Sequence, residues 1–103
     1  MPADRVQMLK SLIQEDPNDP FLRYGLAMET AKVDPAEAVQ LFDHILSQFP
    51  NYLPTYYQAA VLHIEGKGYD KAKRVLQAGI ELAMSKGEMK TISELRTLLD
   101  QLD

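Results

Sequence analysis

The residues able to do chemistry are few and scattered. The two histidines, His44 and His63, fall in different predicted helices, there is no cysteine, and neither histidine belongs to an HExxH spacing. Zinc needs three or four ligands converging on one point, so both read as satisfied or surface histidines. Gly66, Lys67 and Gly68 lack the long glycine spacing of a phosphate loop, and Tyr69 follows where a serine or threonine would be needed. That stretch reads as a turn. The acidic turn Glu15, Asp16, Asn18, Asp19 has neither the alternation nor the terminal glutamate of a calcium loop, so capping and solvation explain it. Lys67, Lys71, Lys73 and Arg74 form the one basic cluster, but no aromatic ladder accompanies them. They read as a solvated outer face. No nucleophile stands beside a base, so the expectation is a non-enzyme with no cofactor and no metal.

The whole chain supports that exclusion. At 103 residues with a net charge of −4, it is long enough for one domain burying roughly two thirds of its unfolded surface. It lacks the concentrated positive face that nucleic acid or an anionic membrane requires. The opening MPADRVQMLK contains no long apolar run, so neither a signal peptide nor a membrane span is expected, and the default address is the cytoplasm. The absence of cysteine fits a reducing compartment.

The elements that would position any functional residue are helices. Around Tyr56–Ile64, YYQAAVLHI, apolar residues go all the way round. Tyr57, Val61 and Ile64 share one face, Ala59 and Ala60 another, with Tyr56 and Leu62 between them. A helix without a polar side needs neighbours on most sides, and the alanine pair allows one of them to come close. The helical period and its punctuation predict six segments. The first spans about 4–15, with Val6, Leu9, Leu12 and Ile13 on its stripe. The second follows Asp19 and Pro20 to about Lys32, because an acidic cap and a first-turn proline open helices well. The third opens at Asp34, Pro35, Ala36 and Glu37, with Glu37 placed to reach back as in a capping box, and ends near Phe49 and Pro50. The fourth begins near Pro54 and ends at Gly66, Lys67 and Gly68, where a glycine can take the left-handed cap conformation. The fifth, about 70–85, buries Ala72, Val75, Leu76 and Ile80 and closes at Lys86 and Gly87. The last, about 88–102, carries Met89, Ile92, Leu95, Leu99 and Leu102 on one stripe and Lys90, Glu94, Thr97 and Gln101 opposite. No run reads as a strand, so the fold class is all-α.

The sequence also repeats. At an offset of 33, Val6, Met8, Leu9, Leu12 and Ile13 meet Val39, Leu41, Phe42, Ile45 and Leu46. The register continues through Pro17–Asn18 with Pro50–Asn51, then Tyr24, Leu26, Ala27 and Met28 with Tyr57, Ala59, Ala60 and Val61. Past the next turn the offset becomes 34, pairing Ala38, Leu41, Phe42 and Leu46 with Ala72, Val75, Leu76 and Ile80. A slip of one confined to a turn is how a true repeat behaves.

Leu26 with Ala27, Ala38, Phe42 and Pro50 in one unit, and Ala59 with Ala60, Ala72 and Leu76 in the next, resemble the tetratricopeptide repeat family. Its consensus places a large residue, a small residue, alanine, an aromatic and proline at these spacings. The sequence departs from it at Arg23 or Tyr56 for the early tryptophan, Thr30 or His63 for the later tyrosine, Ile45 or Gly79 for the late alanine, and Met84 for the second proline. The resemblance covers about 4–85. It implies an antiparallel helix-pair solenoid of right-handed sense in a single domain 1–103: half-repeat 4–17, repeats 18–50 and 51–85, and a C-terminal capping helix 88–102.

In such proteins the first helix of each unit lines a concave surface that receives a peptide or a helix. Carried over residue by residue, that lining is Phe21, Tyr24, Met28, Ala31 and Lys32, then Tyr57, Val61, Ile64 and Glu65. Members that grip a carboxylate use lysines and asparagines there. This chain offers Tyr24, Met28, Tyr57 and Val61 instead, which speaks against such a clamp and for an amphipathic helix or apolar peptide. Phe21, Tyr24 and Met28 are expected to be exposed, while Tyr57, Val61 and Ile64 stand evenly between groove and core under the last helix. The resulting expectation is a noncatalytic protein-interaction module. The alternative is a self-associating scaffold with the same strip as a homodimer interface.

Overall fold

Proline and acidic residues set where the helices begin. The computed structural model describes residues 2–102, with side chains from residue 4 onward. The expected domain 1–103 thus has both its terminal residues, Met1 and Asp103, outside the described residues. There are six helices among the described residues: α1 Pro2–Glu15, α2 Pro20–Ala31, α3 Pro35–Gln48, α4 Pro54–Glu65, α5 Tyr69–Lys86 and α6 Met89–Asp100. No strand occurs among them, and no helix is long and apolar enough to cross a membrane. The chain is all-α.

Before α2 the Asp19 carboxylate accepts the Phe21 N–H at 2.9 Å, and before α3 Asp34 accepts the Glu37 N–H at 3.2 Å. The other half of the expected capping box is replaced: the Asp34 amide donates to the Thr30 carbonyl at 2.8 Å. It is already satisfied by the end of α2. Proline alone opens α4, since Leu53 forms no side-chain cap. At the far end of α4 the expected left-handed glycine is displaced. Gly66 has φ −86°, and Lys67 takes φ 64° instead. The chain reverses at the lysine between the two glycines, so that the Gly68 amide can donate to the His63 carbonyl at 2.7 Å. Gly87 does adopt φ 69° after α5, and the Glu88 amide closes that end by donating to the Ala83 carbonyl at 3.0 Å.

The helices group into two units, Met1–Tyr52 and Leu53–Asp103. In the first, α1 packs on α2 and α2 on α3. Small residues permit this: a Cβ on Gly25 would lie 3.4 Å from Leu9 Cδ2, so Leu9 sits down on the bare backbone of α2. Leu9, Ala27, Ala38, Phe42 and Ile45 are buried, and the buried Thr30 hydroxyl is satisfied within α2 by the Leu26 carbonyl at 2.8 Å. Glu29 of α2 accepts Lys32 at 2.8 Å and faces Arg5 of α1 at 3.6 Å. The predicted α1 stripe is only partly used. Leu9 is buried and Val6 and Ile13 are half-buried, but Leu12 remains 37% exposed because α2 covers just one side of α1.

In the second unit, α4 packs on α5 and α5 on α6. Tyr56, Ala59, Ala60 and His63 form the buried side of α4, at helical spacings of three and four. They meet a long buried face on α5 comprising Ala72, Val75, Leu76, Gly79, Ile80 and Ala83. Gly79 marks the tightest approach: a Cβ there would fall 2.8 Å from Tyr56 Cβ and 3.1 Å from Leu95 Cδ1. On α6 Leu95 is buried and Ile92, Leu99 and Leu102 are half-buried, whereas Met89, at the first residue of the helix, is exposed rather than part of the stripe.

Candidate functional site

A binding surface on paired helices is made from side chains that the pairing leaves over. On α2, Ala27 and Thr30 are buried and fix which side is outward. Phe21, Tyr24, Met28, Ala31 and Lys32 share a face at steps of three and four residues. Phe21 is 65% exposed and Lys32 is exposed, while Tyr24, Met28 and Ala31 are half-buried. Exposure was expected for Tyr24 and Met28 as well as for Phe21; the structure corrects the first two. The Tyr24 ring packs edge-on against Phe42 at 5.9 Å and against Tyr52 at 5.8 Å. Much of it is therefore spent on holding the first unit together.

On α4 the corresponding face is Tyr57, Val61, Ile64 and Glu65. Tyr57 is 38% exposed, Glu65 is exposed, and Val61 and Ile64 are half-buried. Because the inward side of α4 runs through Tyr56, Ala59, Ala60 and His63, this second strip lies off the core. Each strip belongs to its own unit, and each presents apolar surface broken by a tyrosine and ended by a charge.

Sequence periodicity missed Tyr52, which sits in a turn and carries no helical signal. Burial, followed by the neighbouring Tyr24 and the Asp19 carboxylate, pushes its phenol above the ordinary tyrosine range. Burial does the same for Tyr56. Tyr52 also borders a hollow of about 350 Å3, lined by Pro20, Gln48, Phe49, Pro50 and Asn51 as well. Two prolines and two aromatics give it apolar walls, and two carboxamides supply donors and acceptors at its edge. Thr55 is a second residue missed: it is fully buried, and its hydroxyl has no hydrogen-bond partner among the described residues.

The groups weighed for chemistry stay apart. His44 is exposed on α3, and His63 is buried on α4, with its ring beside the backbone of Gly68. Among the described residues no group of three or more histidine, cysteine, aspartate or glutamate side chains could hold a metal ion. Among the described residues Glu29 is the one carboxylate shifted clearly, held below its ordinary range first by the hydrogen bond from Lys32 and further by the charges of Lys32 and Arg5, against the opposing effect of burial. An ion-paired glutamate joining two helices is a structural group.

Known proteins place this arrangement. A family model for the tetratricopeptide repeat matches residues 30–91. In sequence the chain is similar to cellulose synthase operon protein C of Komagataeibacter xylinus, with 33% identity over 93 residues, covering 89% of this chain. It spans only 7% of that relative's length. Among solved structures it is similar to a tetratricopeptide repeat domain protein from Salinibacter ruber, with TM-score 0.80, 36% identity, and coverage of 85% of this chain and 90% of that one. It is also similar in fold to the TPR2B domain of yeast Sti1, solved in complex with pHsp70, with TM-score 0.85, 21% identity, and coverage of 94% and 78%. The helix pairs, the repeat register and these matches agree: the chain belongs to the tetratricopeptide repeat family.

Proposed function

We propose that the chain is a noncatalytic protein-interaction module that receives a peptide or an amphipathic helix on the outward faces of α2 and α4. The observation that carries this reading is Phe21, a large aromatic left 65% exposed at the head of a face continued by Tyr24, Met28 and Ala31 and ended by Lys32. An exposed phenylalanine gains little in water and much under a covering partner. Tyr57, Val61, Ile64 and Glu65 repeat the same kind of surface on α4 in the same register. Tetratricopeptide repeats generally mediate protein–protein interaction, and the yeast Sti1 domain was solved with a bound partner. A tyrosine and methionine surface suits an apolar or amphipathic ligand, the tyrosine hydroxyls giving direction and Met28 adapting to shape.

The test begins with selection of binders from a displayed library of random peptides. Phe21→Ala is expected to weaken a selected peptide by about 1 to 3 kcal/mol, roughly fivefold to a hundredfold, with an unchanged far-ultraviolet spectrum. Ile64→Glu is expected to weaken in the same way a selected peptide held by the α4 face. Equal affinity of wild type and both variants would move the site off α2 and α4.

A further inference from the structure

We propose that α1 carries a self-complementary seam through which two copies of this chain pair about a two-fold axis. The proposal is independent of the partner faces assigned to α2 and α4, because none of its residues lies on them.

The seam is visible first as spacing. Arg5, Met8, Leu12 and Glu15 follow at steps of three, four and three residues, which is one stripe of a helix with the period of a coiled-coil contact line. All four are exposed, Met8 at 55% and Leu12 at 37%. Leu9, one step round the helix, is the residue turned to α2. The internal repeat sharpens the point. Met8 and Leu12 correspond to Leu41 and Ile45 of α3, where Leu41 is half-buried and Ile45 is 1% exposed. The same register position is closed on α3 and open on α1. The exposed residues of α6 include the polar Lys90, Glu94, Thr97 and Gln101, whereas α1 leaves Met8 and Leu12 exposed.

Charge selects the occupant. Met8 and Leu12 lie symmetrically about Lys10, and so do Arg5 and Glu15. When a second α1 is laid antiparallel on the first, Met8 of each copy meets Leu12 of the other and Arg5 of each meets Glu15 of the other. Parallel pairing would set Arg5 against Arg5 and Glu15 against Glu15. Arg5 can serve this contact while keeping its 3.6 Å link to Glu29, because its side chain is 58% exposed and a guanidinium carries several donors. One helix per copy makes a small interface, so the pair belongs to the weak, concentration-dependent class.

The test is sedimentation equilibrium on the full chain from about 10 μM to about 1 mM, the range in which small interfaces form. The wild type is expected to rise from monomer mass toward twice that value. Leu12→Glu places a carboxylate at the centre of the seam and is expected to raise the dissociation constant about tenfold or more, with the helical spectrum retained because the position is exposed. Glu15→Arg, which opposes Arg5 with a second arginine, is expected to weaken the pair, and the double variant Arg5→Glu with Glu15→Arg to restore it by reversing both contacts. That restoration requires the antiparallel register and decides the matter even where Leu12→Glu perturbs folding. A constant monomer mass over the whole range overturns the proposal, as does a dimer indifferent to Leu12→Glu or a double variant no stronger than Glu15→Arg alone.

Discussion

Replacing Gly79 by alanine tests the tightest helix crossing in the second unit. Helix propensity alone favours the change, since alanine in a helix interior is better than glycine by about 1 kcal/mol. Packing opposes it. The added Cβ would stand 2.8 Å from Tyr56 Cβ, 3.0 Å from Tyr56 Cγ and 3.1 Å from Leu95 Cδ1, where carbon pairs normally rest at about 3.5 to 4.0 Å. Leu95 Cδ1 is the end of a side chain and can yield a few tenths of an ångström. Tyr56 Cβ cannot, because its place is set by the backbone of α4 and no rotamer moves it. α4 and α5 must therefore separate, and overpacking of this kind costs about 1 to 3 kcal/mol. The net expectation is destabilisation of up to about 2 kcal/mol. With a urea slope near the middle of the usual range, about 2 kcal/mol per molar, the midpoint should fall by up to roughly one molar. Gly25→Ala is the control: its Cβ would meet only Leu9, at 3.4 and 3.8 Å, so the propensity gain should survive and raise stability by about 0.5 to 1 kcal/mol. The assay is urea unfolding followed by circular dichroism on both variants. A Gly79→Ala midpoint that rises alongside that of Gly25→Ala would refute the claim that the glycine is there for the close approach of Tyr56.

Three further outcomes follow from the same structure. Thr55→Val replaces a fully buried hydroxyl without a partner and should raise stability by about 1 kcal/mol; a lower urea midpoint would mean the hydroxyl is bonded. Tyr24→Ala removes the ring that packs edge-on against Phe42 and Tyr52, so it should lower thermal stability by about 2 kcal/mol, below the range for a fully buried aromatic, and an unchanged melting temperature would contradict that packing. Stability should also fall at both ends of the pH range. Glu29, with its folded value lowered below the ordinary 4.5, contributes stability that is present above that pH and lost as pH falls through the folded value. Tyr52 and Tyr56, raised above the ordinary 10.0, hold theirs below pH 10 and lose it as pH rises through the folded values. Glu29→Gln should flatten the acid limb of a plot of midpoint against pH, and Tyr52→Phe with Tyr56→Phe the alkaline limb.

The helices and their order were legible because their determinants are local. Asp19 with Pro20, Asp34 with Pro35, Pro54 and Gly87 mark ends through short-range bonds and fixed torsions, and the 33-residue register needs only side-chain size to be seen. What failed needed knowledge of neighbours. Periodicity put Leu12 on the apolar stripe of its helix, but it cannot say whether anything lies against that stripe. Tyr24 looked available because one of its two ring contacts, Tyr52, belongs to a turn and to no helical pattern. Lys67 takes the left-handed conformation between two glycines because the Gly68 bond to His63 sets the reversal, and that bond is not written in residue type. Gly79 was visible as a departure from the family's alanine, yet only the crossing with Tyr56 says why.

These departures carry more meaning than the matches. Leu12, Ile45 and Gly79 occupy one register position, and their sizes follow what faces them. Leucine is left open to solvent on α1, isoleucine is sealed on α3, and on α5 a glycine gives room for the Cβ of Tyr56 to come within 2.8 Å of where its own Cβ would be. Arg23 and Tyr56 show the same divergence on α2 and α4. Tyr56 turns inward onto Gly79, whereas Arg23 reaches back so that its Nε donates to the Pro17 carbonyl at 3.2 Å, fixing the turn from which Phe21 projects. A repeat needs common residues to form its helix pairs, and it can recognise something only where equivalent positions differ. In this chain those positions are the exposed Phe21, which corresponds to Pro54 of the next unit, and the open seam of α1, which corresponds to the closed face of α3. Each asks for a cover that its counterpart does not need.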